Sequence, residues 1–202
     1  MHVKLFTLLS ATSLTIGTLA APASSAAADT ALAFLTAYSN MDYDSLAALT
    51  TDDFTFSDSA YPLIQGDVAR GMYRWFVHDK EKTQMKVIIH DVQPSPTDAN
   101  TASLLPLFTL IFSHSEWMQA IASFTDDYFF NGNHVINNIT STMVVTDGKL
   151  SSETDSYSFA AWAEQALGPV VGPLAAPLSV TQKIIQVTAK VELDSFLLFN
   201  PE

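Results

Sequence analysis

The 202-residue chain contains no cysteine. That excludes disulfide bridges, thiolate metal sites, thiol nucleophiles and dithiol redox chemistry. Basic residues are scarce: nine Lys and Arg stand against 21 Asp and Glu, for a formal net charge of −12. Such a chain lacks the basic patch that displaces counterions from a phosphate backbone, so no nucleic-acid partner is expected. The same balance argues against an anionic membrane surface. Past the first 20 residues no apolar run is long enough to span a bilayer, so no membrane partner is expected once the N-terminal segment is gone. Metal-ligand spacings such as His-x-x-x-His are absent, as are a glycine-rich phosphate loop and the sequence contexts of a Ser/His/Asp triad. Neither a metal nor another cofactor is expected.

What is present begins with a leader. Lys4 supplies a positive start, Leu5 to Leu19 an apolar stretch too short to span, and small-x-small sites end at Ala20 and Ala26. Residues 1–26 read as a secretory signal peptide and 27–202 as one domain, secreted or held in the secretory lumen. About 175 residues can bury a core without disulfides. Asn138-Ile139-Thr140 is the one sequon, and Asn138 is a glycosylation candidate if its side chain faces solvent.

The segment around which the chain is organised runs from Asp147 to Gly168. Asp147-Gly148 is a two-residue hairpin turn, since both positions need positive φ. Leu150 to Tyr157 reads as a strand with Glu153, Asp155 and Tyr157 on one face. Phe159, Trp162, Ala163 and Ala166 then switch to helical spacing, with Ser158 as N-cap and Gly168 as the stop. Earlier, Ala27 to Ser39 reads as a helix capped by Asp29, and Asp44 to Leu49 as a short helix capped by Asp44. Thr51 to Asp58 alternates as a strand, with Phe54, Phe56 and Asp58 together. Asp58 also suits the turn before Tyr61-Pro62.

Gly66 to Asp79 reads as a third helix with Val68, Met72, Trp75 and Phe76 inward, and Gln84 to Val92 as a strand. Thr101 to Ser113 reads as a strand whose Pro106 suggests an edge or a bulge. His114 to Asp127 fits a helical turn through Trp117, Ile121 and Phe124, or a wide loop. Tyr128 to Thr146 is strand, broken near Asn131-Gly132-Asn133. Pro169 to Pro177 reads as a linker, and Ser179 to Leu198 as a last helix with two apolar rows. One row is Ile184, Val187 and Val191; the other is Ile185, Ala189, Leu193 and Phe196. Together they predict an α+β fold: a curved, mostly antiparallel sheet wrapped around the N-terminal helices, with an extra C-terminal helix over residues 179–198.

Three segments resemble the nuclear transport factor two-like superfamily, in its SnoaL-like polyketide-cyclase branch. They are Ala31 to Asp58, Gly66 to Phe76 and Asp147 to Gly168. The resemblance implies that this fold is cone-shaped and cystatin-like, and it implies a small hydrophobic substrate or ligand, a homodimer through the sheet, and one of several cofactor-free reactions. Asp58 falls where the family's ketosteroid isomerases keep a proton-shuttling aspartate. Their first-helix tyrosine would fall at Phe34, with Tyr38 one turn later. Their second aspartate has no carboxyl counterpart in Asn138 to Ser141. Asp155 falls where the cyclases keep an acid/base aspartate and where limonene epoxide hydrolases keep one acid of a triad. The hydrolases' partner arginine and aspartate have no counterpart in Val135 to Thr142.

Asp58 and Asp155 are therefore the catalytic candidates. Proton-transfer chemistry needs one group to take a proton from carbon and one to return it to oxygen. A carboxyl in an apolar pocket is pushed toward neutrality because desolvation disfavours its charged form. Tyr38, Phe54, Phe56, Trp75, His90, His134 and Tyr157 are the expected pocket, with Phe108 as a further apolar wall. Two functions fit: a cofactor-independent cyclase, isomerase or dehydratase, or a non-catalytic module that holds a lipophilic ligand or dimerises.

Overall fold

A computed structural model describes residues 23–95, 117–175 and 179–201. Among them the chain runs α1 (Ala23–Ser39), α2 (Tyr43–Ala48), β1 (Thr50–Ser57), β2 (Ile64–Gln65), α3 (Asp67–His78), α4 (Lys80–Thr83), β3 (Lys86–Pro94), β4 (Trp117–Phe130), β5 (Asn133–Thr146), β6 (Lys149–Ser156), α5 (Phe159–Ala166), α6 (Gly168–Ala175) and α7 (Ser179–Phe199). The six strands form one sheet in the order β2-β1-β6-β5-β4-β3. The β1–β6 pair is parallel and the other pairs are antiparallel. This is the expected α+β layout, a mostly antiparallel open sheet with helices on one face.

Two hairpins make the long strands. Asn131-Gly132 and Asp147-Gly148 both have positive φ at each central residue, at 50° and 85°, and at 52° and 76°. That turn geometry matches the right-handed twist of the strands it joins. Alternation along β5 then puts Val135, Asn137, Ile139, Ser141, Met143 and Val145 inward and His134, Ile136, Asn138, Thr140 and Thr142 outward. The register sets Asp126 of β4 opposite Asn137 and Asp155 of β6 opposite Ser141. Against this concave face pack Ala27, Ala31, Phe34 and Leu35 of α1 and Met72 and Tyr73 of α3, all buried. Phe34 meets Tyr73 edge-on at 5.3 Å. Burial of these aliphatic and aromatic side chains is the main stabilising term, in the absence of any cross-link.

Several local expectations are corrected. The N-cap of α2 is Asp42, not Asp44: the Asp42 carboxylate accepts from the Ser45 N–H at 3.1 Å and its hydroxyl at 2.6 Å. The first helix starts at Ala23, four residues before the expected Ala27. Residues 117–127, read as helix or loop, belong to the 14-residue strand β4. Trp117 and Ile121 mimic helical spacing because they sit on the sheet's outer face, where alternation hides behind exposed apolar residues. The expected linker at 169–177 contains α6. Pro169 stands in its first turn, where the missing N–H costs nothing. A Cβ on Gly172 would lie 2.3 Å from the Glu164 carbonyl oxygen, so glycine is what lets α6 cross α5 this closely. The strand expected at 101–113, with Pro106 and Phe108, lies outside the described residues.

The last helix divides as its two apolar rows suggest. Leu193 is buried, and Ala189 and Leu197 pack on the main core. Phe196 stacks on Trp75 at 6.4 Å. The other row, Ile184, Val187 and Val191, faces solvent.

Candidate functional site

The site grows from the ends of β1 and β6, which run parallel and finish side by side. Ser57 of β1 pairs with Thr154 of β6. Just past β1, the Asp58 N–H donates to the Tyr61 carbonyl at 2.7 Å and closes a turn. Asp58 Oδ1 accepts the backbone N–H groups of Ala60, at 2.8 Å, and Tyr61. Its Oδ2 accepts the Tyr157 hydroxyl at 3.2 Å. Asp58 thus does cap the turn before Pro62. Burial raises its pKa to about 6, the three hydrogen bonds opposing only part of that rise. Tyr157 is pushed further above its usual range, first by its own burial and then by the Asp58 charge.

Asp155 projects from β6 beside this turn. One of its carboxyl oxygens is buried with no hydrogen-bond partner among the described residues. Its pKa is raised well above the usual carboxylate range, by burial first and by the charge of Glu153 second, while the Ser141 hydroxyl works against the rise. Glu153 lies two residues back on the same strand and is 1% exposed. It accepts the Tyr73 hydroxyl at 2.5 Å and the Ser141 hydroxyl at 3.4 Å. Burial lifts its pKa too, against those bonds. A fourth carboxyl, Asp126 of β4, accepts the Tyr38 hydroxyl on Oδ2 at 3.5 Å, and its Oδ1 is buried without a partner among the described residues. Its pKa is raised by burial and then by Asp155. None of the four forms an ion pair among the described residues. Arg70 is spent on the Thr51 and Asp52 carbonyls, at 2.8 and 3.0 Å, and Arg74 on the Asn200 carbonyl at 2.6 Å.

A cleft of about 280 Å³ opens beside two of these four carboxyls, lined by Asp58, Asp155, Tyr157, Pro62 and Gln182 among others. Gln182 and Gln186 of α7 both donate to the Ser59 carbonyl, at 3.2 and 3.0 Å, which fixes the C-terminal helix at the rim. A larger groove of about 480 Å³ runs along α1 and α2, past Leu32, Asn40 and Leu49. None of the four perturbed carboxyls lines it, whereas Asp58 and Asp155 line the smaller cleft, which is therefore the chemical candidate.

The expected pocket residues divide. Asp58, Asp155 and Tyr157 meet at the cleft. Tyr38 lies deeper, at Asp126. Phe54 and Phe56 are buried in the aromatic core with Tyr73, at 6.4 and 6.0 Å, and wall the site from behind. Trp75 turns away, under α7, with its indole N–H on Asp79 at 3.1 Å. His90 and His134 lie on the outer face of the sheet, so neither lines the cleft. His90 Nε2 pairs with the Thr125 hydroxyl at 2.7 Å, which donates to Asn138 Oδ1 at 2.7 Å. His134 pairs with Asp127 at 2.6 Å and stacks on Phe129. Asn138 is exposed on that same face.

Asp126 and Tyr73 were missed by sequence reasoning, and Glu153 was seen only as a neighbour of Asp155. Asp126 fell in the segment read as helix or loop. Had alternation been counted backward from the Asn131-Gly132 turn, Asp126 would have come out on the concave face opposite Asn137.

No family model and no curated protein matches the sequence. Solved structures do match by shape. An LEH-like epoxide hydrolase of M. tuberculosis is 18% identical over 78% of this chain and 100% of its own, with a TM-score of 0.53. Bal32a, from a soil-derived mobile gene cassette, is 12% identical over 70% of this chain and 97% of its own, also at 0.53. Likeness at these identities establishes the fold.

Proposed function

We propose that this chain, whose fold is that of the nuclear transport factor two-like superfamily, is an enzyme of the SnoaL-like kind. It cyclises, isomerises or dehydrates a small hydrophobic, polyketide-like substrate without a cofactor. One observation carries this: two carboxyls in unlike settings, Asp58 and Asp155, line the same cleft. At pH 7 Asp58, with its pKa near 6, is mostly ionised and suited to take a proton from an activated carbon. Asp155, whose pKa burial and then the Glu153 charge push well above the usual carboxylate range, is suited to give one to the substrate oxygen on which charge develops. That division of base and acid follows from environment alone. Tyr157 steadies Asp58 through its hydroxyl, and Ser141 lies between Glu153 and Asp155, in reach of both.

The test is hydrogen–deuterium exchange. A panel of 1,3-diketones is incubated with the protein in D₂O, and loss of the proton between the carbonyls is followed by NMR. Wild type is expected to accelerate it; Asp155→Asn is expected to lose turnover of the natural substrate while folding and ligand binding persist. Equal turnover in that variant removes Asp155 from the mechanism.

A second reading is a non-catalytic module that holds a lipophilic ligand. The turn-capping bonds of Asp58 favour it, since they already satisfy one carboxyl oxygen. Ligand retention with no exchange above the uncatalysed rate would select this reading. In either case the mature chain begins after residue 20 or 26 and travels the secretory pathway, with a glycan on the exposed Asn138.

A further inference from the structure

We propose that the substrate enters the cleft by a neutral end rich in hydroxyl groups and leaves its hydrocarbon body outside, a statement that rests on the acid–base reading of the same cleft. Strands β1 and β6 end together, and the register that sets Ser57 beside Thr154 brings four hydroxyl side chains to one mouth: Ser57, Ser59, Thr154 and Ser156. Among the described residues that line it, Pro62 alone lacks a polar side chain. Most of this polarity is unspent. Ser57 and Thr154 share one hydrogen bond, at 3.1 Å, so one of their two hydroxyl hydrogens is left over. The Ser59 and Ser156 hydroxyls bond to nothing among the described residues. The Gln182 amide gives one N–H to the Ser59 carbonyl, at 3.2 Å, and has a second to give.

Each class of ligand meets this wall differently. A hydrocarbon surface would strip water from these groups and return no hydrogen bonds. A phosphate or carboxylate would find no Lys, Arg or His among the described lining residues, and would meet Asp58 and Asp155 instead. A hydroxyl both donates and accepts, as the wall hydroxyls do, and it can donate to a carboxylate as well. Size then sets the orientation. The cleft's 280 Å³ is the bulk volume of about nine waters, which is room for one six-membered ring with its substituents. Hydrocarbon has no deeper place to go. Behind the wall Phe54 and Phe56 pack on Tyr73 at 6.4 and 6.0 Å, and Phe34 at 5.3 Å. A hydroxylated ring therefore fills the cleft beside Asp58 and Asp155, and an apolar remainder stays at the mouth.

The probe pair is cis,cis-1,3,5-cyclohexanetriol and cyclohexanol, which share a ring and differ in hydroxyl count. NMR titration of the backbone N–H signals reads affinity and place together. Wild type is expected to bind the triol at least about tenfold more tightly than cyclohexanol, with shifts at Ser57 to Tyr61 and Thr154 to Tyr157. The double variant Ser57→Ala, Thr154→Val is expected to lose most of that preference and to bind cyclohexanol as before. Absence of triol binding, equal or tighter binding of cyclohexanol, or triol shifts confined to other residues overturns the proposal even if the variant fails to fold. Inorganic phosphate bound at the same signals overturns it in favour of an anion site. The octyl ether of the triol reads orientation: with a soluble gadolinium chelate present, its bound ring protons are expected to be shielded and its terminal methyl relaxed. A shielded methyl beside a relaxed ring overturns the proposal. The diketone exchange assay separates the two readings: triol preference without exchange keeps this recognition and sinks the enzyme, and exchange with cyclohexanol preferred does the reverse.

Discussion

At the scale of single residues, the site is set by where carboxyls are denied water. Asp58 shows the sign. Its ordinary value of 3.8 rises to about 6 in the fold, so the folded chain holds a proton that the unfolded chain has released. The associated stability is fully present below about pH 4 and is lost as pH climbs to about 6, a difference of about 3 kcal/mol. Asp58→Asn keeps an oxygen for the Ala60 and Tyr61 N–H groups but cannot ionise. Urea denaturation of this variant is expected to show a flatter pH profile between 4 and 6 than wild type. Parallel profiles would mean that Asp58 is solvated. Asp126, Glu153 and Asp155 share the upward direction, so the wild-type chain is expected to be most stable in mild acid.

At the scale of elements, one device fixes the mouth of the site and another packs the two helices that follow β6. At the mouth it is the polar latch of α7, where Gln182 and Gln186 share the Ser59 carbonyl. The other is the close crossing of α5 and α6 at Gly172. Gly172→Ala is expected to lower the melting temperature by several degrees, because the new methyl meets backbone and not a side chain that can rotate away. Gly71→Ala is the control: its methyl would meet the Leu197 side chain, which can move, so a smaller drop is expected by calorimetry. Equal drops would remove the argument from backbone contact. The proline- and glycine-rich spelling of α6 hid it from sequence reasoning. Those residues suit a first turn and a tight crossing as well as they suit a linker.

At the scale of the whole molecule, the outer sheet face is claimed twice. Ile88, Trp117, Ile121, Phe129 and Ile136 are exposed there, Trp117 at 60%, which suits a second copy. Asn138 stands among them on β5, which suits a glycan. One face cannot serve both. Secreted from a eukaryotic host, the chain is expected to carry a glycan at Asn138 and to sediment as a monomer. Asn138→Gln is expected to shift it toward a dimer. A glycosylated dimer would show that pairing uses another surface, such as the exposed row Ile184, Val187 and Val191.

Sequence alone determined the elements whose signals are local: the Asp147-Gly148 turn, the strand break near Asn131-Gly132-Asn133, the Ser158 cap, the Gly168 stop, and the strand that puts Glu153 beside Asp155. Each follows from backbone sterics or from a period of two, which a neighbourhood of a few residues carries. Tertiary structure decided what depends on distant strands meeting. It set the register that brings Asp126 under the same roof as Asp155, sent His90 and His134 to the outer face, and lodged Trp75 beneath α7. Burial, which lifts the carboxyl pKa values and so creates the candidate chemistry, belongs to the packed whole and is written in no single segment.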